Sequence, residues 1–190
     1  MAKSKTIHVF VLWLFLFLCI GAVHANDGYC VRATAQSFVG VHEKGGNNQG
    51  FNDAYFRKLL AAQGWKPGYA WCSFFVMAML YECGIQNTIT GWSPSTYNRN
   101  DVVYTGGKFV KAFHDRDVLI MSLSYSNSPS RYKSIGHTGI VDRIGEHSVR
   151  TIEGNTNQQG MRDSRTGDGV YYKVRPLSKN IHITRWKKAE

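Results

Sequence analysis

The pattern of apolar residues changes once, near Asp117, from helical spacing to short β-branched runs. This change constrains the fold more than any other feature. Before it, apolar residues recur at helical spacing over residues 29–40 and 52–62, and an apolar run without Pro or Gly predicts a third helix over 72–83. Residues 86–116 show no regular pattern. After it come five runs rich in β-branched residues, separated by turn signals. These runs are 118–123, 137–144, 148–152, 170–174 and 181–186. Helices followed by strands in series predict an α+β fold, with N-terminal helices packed on a central antiparallel sheet.

The first 25 residues have the pattern of a secretory signal peptide. Two lysines precede an apolar stretch over residues 9–20, and Val23-His24-Ala25 supplies a small-residue cleavage site, so we expect cleavage after Ala25. The apolar stretch is shorter than the ~20 residues that a membrane-spanning helix needs. We therefore predict a secreted or periplasmic protein without a stable membrane anchor, in which residues 26–190 form a single domain.

The charge balance indicates an anionic partner. The chain has 23 Lys and Arg residues against 13 Asp and Glu, a net charge of +10. Removal of the two signal-segment lysines leaves a charge of +8. In an exported protein, such a surface favours binding to an anionic cell-wall polymer. The sequence contains no Lys/Arg run and no nucleic-acid-binding module, so we do not expect a nucleic-acid partner.

Three cysteines follow the predicted cleavage site, and an odd number leaves one thiol unpaired in an oxidising compartment. Cys30 opens the first predicted helix and Cys83 closes the third, so antiparallel packing of these helices would bring the two together. Our hypothesis is that Cys30 and Cys83 form a disulfide; if these two cysteines pair, Cys72 stays free. Cys72 begins the third predicted helix, where unpaired N–H groups and the helix dipole favour a thiolate. The alternative is that Cys72 is a buried, unreactive hydrophobic residue.

A cysteine nucleophile needs a histidine base and a third group that orients the imidazole. His137 differs from the other histidines because it begins an apolar strand with glycines on both sides, which we expect to leave its ring open to a groove. If the next hairpin turns at Gly145-Glu146, His137 lies opposite Gly154, between Glu153 and Asn155. Either side chain would then reach the imidazole. The alternatives are a strand-initiating polar residue at 137 and ordinary turn chemistry around position 154.

Three segments in this order and spacing resemble the CHAP family of cysteine peptidoglycan amidohydrolases and endopeptidases, which are papain-like relatives of the NlpC/P60 group. The segments are Trp71–Val76, Ile135–Val141 and Ile152–Asn157, and the similarity covers nearly all of the chain after the signal segment. The resemblance implies a papain-like fold, in which a cysteine at a helix N-terminus faces a histidine on a strand of the sheet.

The resemblance also implies roles for individual residues. Cys72 would be the nucleophile and His137 the general base and later the acid, with Glu153 or Asn155 orienting His137. The backbone N–H of Cys72 would donate a hydrogen bond to the oxyanion, and the sequence does not identify the second donor. Neither a metal nor a cofactor is required, and no Cys/His cluster has the spacing of zinc ligands.

Together with the resemblance, the sequence predicts a monomeric, exported cysteine hydrolase that cleaves an amide bond in peptidoglycan. The bond remains open between the muramoyl-L-alanine amide and peptide bonds of the stem or cross-bridge, because one fold supports both activities. One alternative is a catalytically silent wall-binding module. A second is an acyltransferase or transglutaminase-like enzyme, in which an amine instead of water resolves the thioester.

Overall fold

The computed structural model describes residues 27–125, 134–158 and 167–187, so the predicted signal peptide lies outside the described residues. The described residues contain three α-helices and seven strands, which confirms the α+β class. The helices are α1 (Asp27–Ser37), α2 (Ala54–Ala62) and α3 (Cys72–Glu82). The strands are β1 (Val102–Thr105), β2 (Lys108–Phe109), β3 (Val118–Ser124), β4 (Ile135–Ile144), β5 (Ser148–Thr156), β6 (Gly169–Pro176) and β7 (Ile181–Trp186).

The seven strands form one antiparallel sheet in the order β2-β1-β7-β3-β4-β5-β6. The helices pack on one face of this sheet through a large apolar core, and a second core covers the other face. The prediction of an irregular segment over 86–116 is partly wrong, because β1, β2 and a 3₁₀ turn at Ser93–Thr96 lie there. The β1–β2 hairpin turns at Gly106 and Gly107, which both have positive φ.

The helix α3 lies at the centre of the helical layer. It is apolar on all sides, and eight of its eleven residues are buried, as expected for a helix surrounded by core. The chain leaves the helix at Gly84, whose φ of 66° is the left-handed conformation that commonly follows a helix. The helix contacts β4 and β5, and a Cβ atom on Gly154 of β5 would meet Trp71 and Phe75, so the N-terminal end of α3 lies against β5.

A disulfide joins Cys30 of α1 to Cys83, the residue that caps the C-terminal end of α3. The predicted pairing is confirmed, and Cys72 is a free thiol. The two cysteines are 53 residues apart, and closing a loop of this length restricts the unfolded chain by about 4 kcal/mol in the chain-entropy account. Such a bridge is compatible with the predicted export. No helix among the described residues has the length and apolar character needed to cross a membrane.

The β4–β5 hairpin has a different register from the predicted one. Ile140 lies opposite Ile152, one position away from the predicted alignment, and the register shifts again after Val141. This second shift is a β-bulge, which adds a residue to one strand and cannot be read from alternation. The predicted pairing of His137 with Gly154 is therefore wrong.

Candidate active site

Cys72 is the first residue of α3, and its thiol is almost completely buried, with 3% of the residue exposed. The helix starts after a turn at Pro67-Gly68, where Gly68 has a φ of 91°. No side chain caps the helix, so its first N–H groups are left for another acceptor. The Cys72 Sγ atom lies 3.5 Å from the Ser93 hydroxyl oxygen.

His137 lies on β4 and is fully buried. Its Nε2 atom is 2.8 Å from a carboxylate oxygen of Glu153, to which it donates a hydrogen bond. Among the described residues, Nδ1 has no partner at full hydrogen-bond geometry. We therefore assign the Nε2–H tautomer to the neutral ring, so that its Nδ1 lone pair remains to interact with the Cys72 thiol, whose pKa the imidazole lowers.

Glu153 is fully buried, and each carboxylate oxygen accepts two hydrogen bonds. Oε1 accepts from the Thr151 hydroxyl at 2.5 Å and from Arg175 Nε at 2.6 Å. Oε2 accepts from Arg175 Nη2 at 2.5 Å and from the His137 ring. Burial alone would raise the pKa of Glu153, but the bonds and charges of Arg175 and His137 lower this pKa to about 2. The carboxylate is therefore ionised at neutral pH.

The thiol and the imidazole shift each other's pKa in opposite directions. Burial would raise the pKa of Cys72, but His137 and the hydroxyls of Ser93 and Ser73 lower it from 9.0 to about 7. Burial would lower the pKa of His137, but Cys72 and Glu153 raise it from 6.5 to about 9. Between these values the pair exists as thiolate and imidazolium, the form in which a cysteine is nucleophilic.

The Asn155 side chain makes no hydrogen bond to the His137 ring. It is fully buried, and its amide oxygen and nitrogen have no hydrogen-bond partner among the described residues. Its φ of 54° turns the chain after Glu153, at a register shift between β5 and β6. A Cβ atom on Gly167 would meet the Asn155 backbone, so the two segments are in close contact. The structure thus brings Cys72, His137 and Glu153 together, whereas Asn155 makes no side-chain hydrogen bond to any of the three.

The glycines around His137 make room for neighbouring side chains. The Tyr125 ring lies over Gly136, and its hydroxyl donates to the Gly136 carbonyl at 3.1 Å. A Cβ atom on Gly139 would lie 2.5 Å from Cγ of Glu153. The prediction that these glycines leave the imidazole open to a groove is therefore wrong, because the ring is buried and Gly139 lets Glu153 reach it.

Replacing Gly139 by alanine is expected to displace Glu153 from His137. The added methyl group would also lie 3.0 Å from the Ile152 carbonyl, and Glu153 is held by four hydrogen bonds, so neither neighbour moves easily. We expect a loss of about 1–3 kcal/mol in the free energy of unfolding, together with slower alkylation of Cys72 at pH 7.5. Urea unfolding and iodoacetamide labelling measure these two effects.

Gly145→Ala is the matched control for this substitution. Gly145 lies at the β4–β5 turn, and a Cβ atom there meets its nearest neighbour at 3.5 Å, an ordinary contact. The control should retain wild-type labelling and stability. Equal behaviour of the two variants would contradict the steric role assigned to Gly139.

Three polar residues of the site are not predicted by the sequence. They are Ser93, Thr151 and Arg175. Arg175 lies on β6, and only the pairing of β5 with β6 brings it to Glu153. The sequence signal that could identify Arg175 is its basic side chain, since a buried carboxylate such as that of Glu153 requires a nearby cation.

Comparison with known proteins finds no relative: no family model, curated protein or solved structure matches the chain. The chemistry of the site therefore follows from its own residues. Among the described residues, no group of three or more His, Cys, Asp or Glu side chains could hold a metal ion. A thiolate beside an imidazole that a carboxylate orients can attack a carbonyl carbon and protonate the leaving group.

Proposed function

We propose that this chain is an exported cysteine hydrolase of the CHAP family that cleaves an amide bond in peptidoglycan. The observation that carries the proposal is the buried series of thiol, imidazole and carboxylate formed by Cys72, His137 and Glu153. A nucleophile at a helix start and a base on the adjoining sheet support a papain-like arrangement. The substrate class is supported by the resemblance of three sequence segments and by the net charge of +8 after removal of the two signal-segment lysines, which favours an anionic polymer.

The proposed reaction uses two proton transfers through His137. The Cys72 thiolate attacks the amide carbon, so a C–S bond forms and the carbonyl π electrons move to oxygen. As the tetrahedral intermediate collapses, the C–N bond breaks and the imidazolium gives its Nδ1 proton to the leaving amine. Nδ1 then takes a proton from water as that water attacks the thioester, and the thiolate leaves. Glu153 holds the ring and stabilises its charged form throughout.

The proposal is tested by incubating purified peptidoglycan with the protein expressed without its predicted signal segment and with its Cys72→Ala variant. Mass spectrometry of the released fragments should show new amine and carboxyl termini for the active protein and a loss of about 10³-fold or more in the variant. The position of the new amine distinguishes muramoyl-L-alanine cleavage from cleavage in the stem or cross-bridge. A Cys30→Ala/Cys83→Ala protein retains Cys72, so it should still cleave.

Other outcomes would replace the proposal. Equal cleavage by the Cys72→Ala variant would exclude the thiol as nucleophile. Binding without cleavage would support the wall-binding module. A product that carries an added amine instead of a new carboxyl group would identify acyl transfer.

A further inference from the structure

We propose that the Ser93 hydroxyl is the second oxyanion donor, acting beside the backbone N–H of Cys72; this rests on the cysteine acyl chemistry proposed above. The hydroxyl oxygen is 3.5 Å from the nucleophilic sulfur. In the tetrahedral intermediate, the oxyanion is bonded to the same carbon as that sulfur. A hydroxyl at this position can therefore approach the oxyanion to the distance of about 2.7–3.1 Å that a donor needs.

Buried hydrogen bonds to the sheet hold Ser93 in place. Ser93 begins the 3₁₀ turn, and its carbonyl accepts a 2.7 Å bond from the Thr96 hydroxyl. Because the Thr96 hydroxyl donates its proton to the Ser93 carbonyl, the same hydroxyl accepts a hydrogen bond from the Ser122 hydroxyl at 2.9 Å. The Thr96 carbonyl in turn accepts from Thr184 and from the Trp186 indole, each at 3.3 Å. A four-residue turn with this many anchors is preorganised, which oxyanion stabilisation requires.

The segment that contains Gly91 and Ser93 also packs against α3. A Cβ atom on Gly91 would lie 2.5 Å from the Phe74 ring, so the chain approaches the first turn of the helix as closely as glycine permits. Phe74 is two residues beyond Cys72. The segment around Ser93 is thus held to both elements that carry the reacting groups, α3 and the sheet.

The Ser93 hydroxyl would donate a hydrogen bond to two negatively charged species in succession, first the thiolate and then the oxyanion. In the resting site it donates to the Cys72 thiolate. When the C–S bond forms, the negative charge moves to the former carbonyl oxygen, and rotation about the Ser93 Cβ–Oγ bond lets the same O–H follow it. Ser93 keeps its proton throughout, and His137 carries the protons that are transferred. The competing account is that Ser93 stabilises the thiolate alone.

Two reagents that need the same thiolate separate these accounts. Iodoacetamide alkylates sulfur by displacing iodide, and no oxyanion forms. p-Nitrophenyl acetate acylates sulfur through a tetrahedral oxyanion and releases p-nitrophenolate. Both rates are proportional to the thiolate fraction, so this fraction drops out when the acylation rate is divided by the alkylation rate. The ratio therefore measures the stabilisation of the oxyanion. Rates are measured on the protein without its predicted signal segment, with labelling at Cys72 verified by mass spectrometry.

Ser93→Ala is expected to lower this ratio by about 10²–10³-fold, the usual effect of removing one oxyanion donor. Ser93→Thr retains a hydroxyl and should recover a large part of the loss. Ser95→Ala is the matched control, because Ser95 bonds Thr90 and the Trp92 carbonyl in the same turn. Its ratio should equal that of the unsubstituted protein. A cooperative urea-unfolding transition in Ser93→Ala shows that the variant has folded, since an unfolded thiol would also be alkylated.

An unchanged ratio in Ser93→Ala would overturn the proposal, since the hydroxyl would then affect only the thiolate. The proposal would also be overturned if p-nitrophenyl acetate did not acylate Cys72 in the unsubstituted protein. The test uses no peptidoglycan, so a protein that shows the Ser93 effect but leaves peptidoglycan intact refutes the proposed substrate and leaves the oxyanion assignment standing.

Discussion

Replacement of Arg175 by methionine is expected to lower the free energy of unfolding by about 3–5 kcal/mol at pH 7, the usual cost of removing one partner of a buried ion pair. The guanidinium makes two of the four hydrogen bonds to Glu153, which is fully buried, and Arg175 itself is only 8% exposed. Without it, the carboxylate is either charged and uncompensated or takes up a proton. Urea unfolding monitored by tryptophan fluorescence measures the loss.

Two comparisons separate the buried charge from the loss of a long side chain. Arg150→Met removes the arginine of an ion pair with Asp142 whose Arg150 side chain is 44% exposed, so we expect a change of less than about 1 kcal/mol. Glu153→Gln combined with Arg175→Met removes both buried charges and should recover much of the stability lost in Arg175→Met. Equal losses for Arg150→Met and Arg175→Met would contradict this interpretation of the buried cluster.

The stabilising contribution of Glu153 also has a defined pH dependence. Its pKa falls from 4.5 to about 2 on folding, because Arg175 and His137 outweigh burial. The contribution is therefore complete above pH 4.5 and is lost as the pH falls through 2. The stability difference between the unsubstituted protein and Glu153→Gln should shrink across this range in the same unfolding experiment.

Features set by local patterns could be predicted from the sequence. The three helices, five of the seven described strands and the Cys30–Cys83 bridge follow from periodicity, turn residues and cysteine spacing. The segments that carry the thiol, the imidazole and the carboxylate were found in the same way, because each combines a polar residue with a recognisable apolar run. Short strands such as β1 carry too few residues for alternation to be recognised.

The remaining features of the site depend on long-range geometry. A bulge in β4 changes which residues of β4 and β5 are opposite, so the sequence left Glu153 and Asn155 as equal candidates to orient His137. Arg175 reaches Glu153 only through the pairing of β5 with β6. Ser93 reaches the thiol only because its turn is anchored on the sheet.

Replacement of His137 by alanine is expected to slow alkylation of Cys72 at pH 8 by at least about tenfold, and to reduce any turnover by about 10²–10⁴-fold, the range for loss of a general acid–base. With a pKa of about 7, Cys72 is about nine-tenths thiolate at pH 8. Burial raises this pKa, and His137 supplies the largest opposing effect. Without the imidazole, the pKa should therefore return to 9.0 or above, which leaves about a tenth or less as thiolate.

The pH profile distinguishes this effect from a general loss of structure. In the unsubstituted protein, the thiolate–imidazolium pair forms as the pH rises through about 7 and is lost as it rises through about 9, so turnover should be bell-shaped, with apparent pKa values that belong to the pair. The alkylation profile of His137→Ala should move to higher pH and approach the unsubstituted rate once both thiols are ionised. His182→Ala is the control, since His182 is a buried histidine that contacts Thr105. Because alkylation depends on the thiolate fraction, an unshifted profile in His137→Ala would mean that His137 does not ionise the thiol, and Cys72 would then need another base.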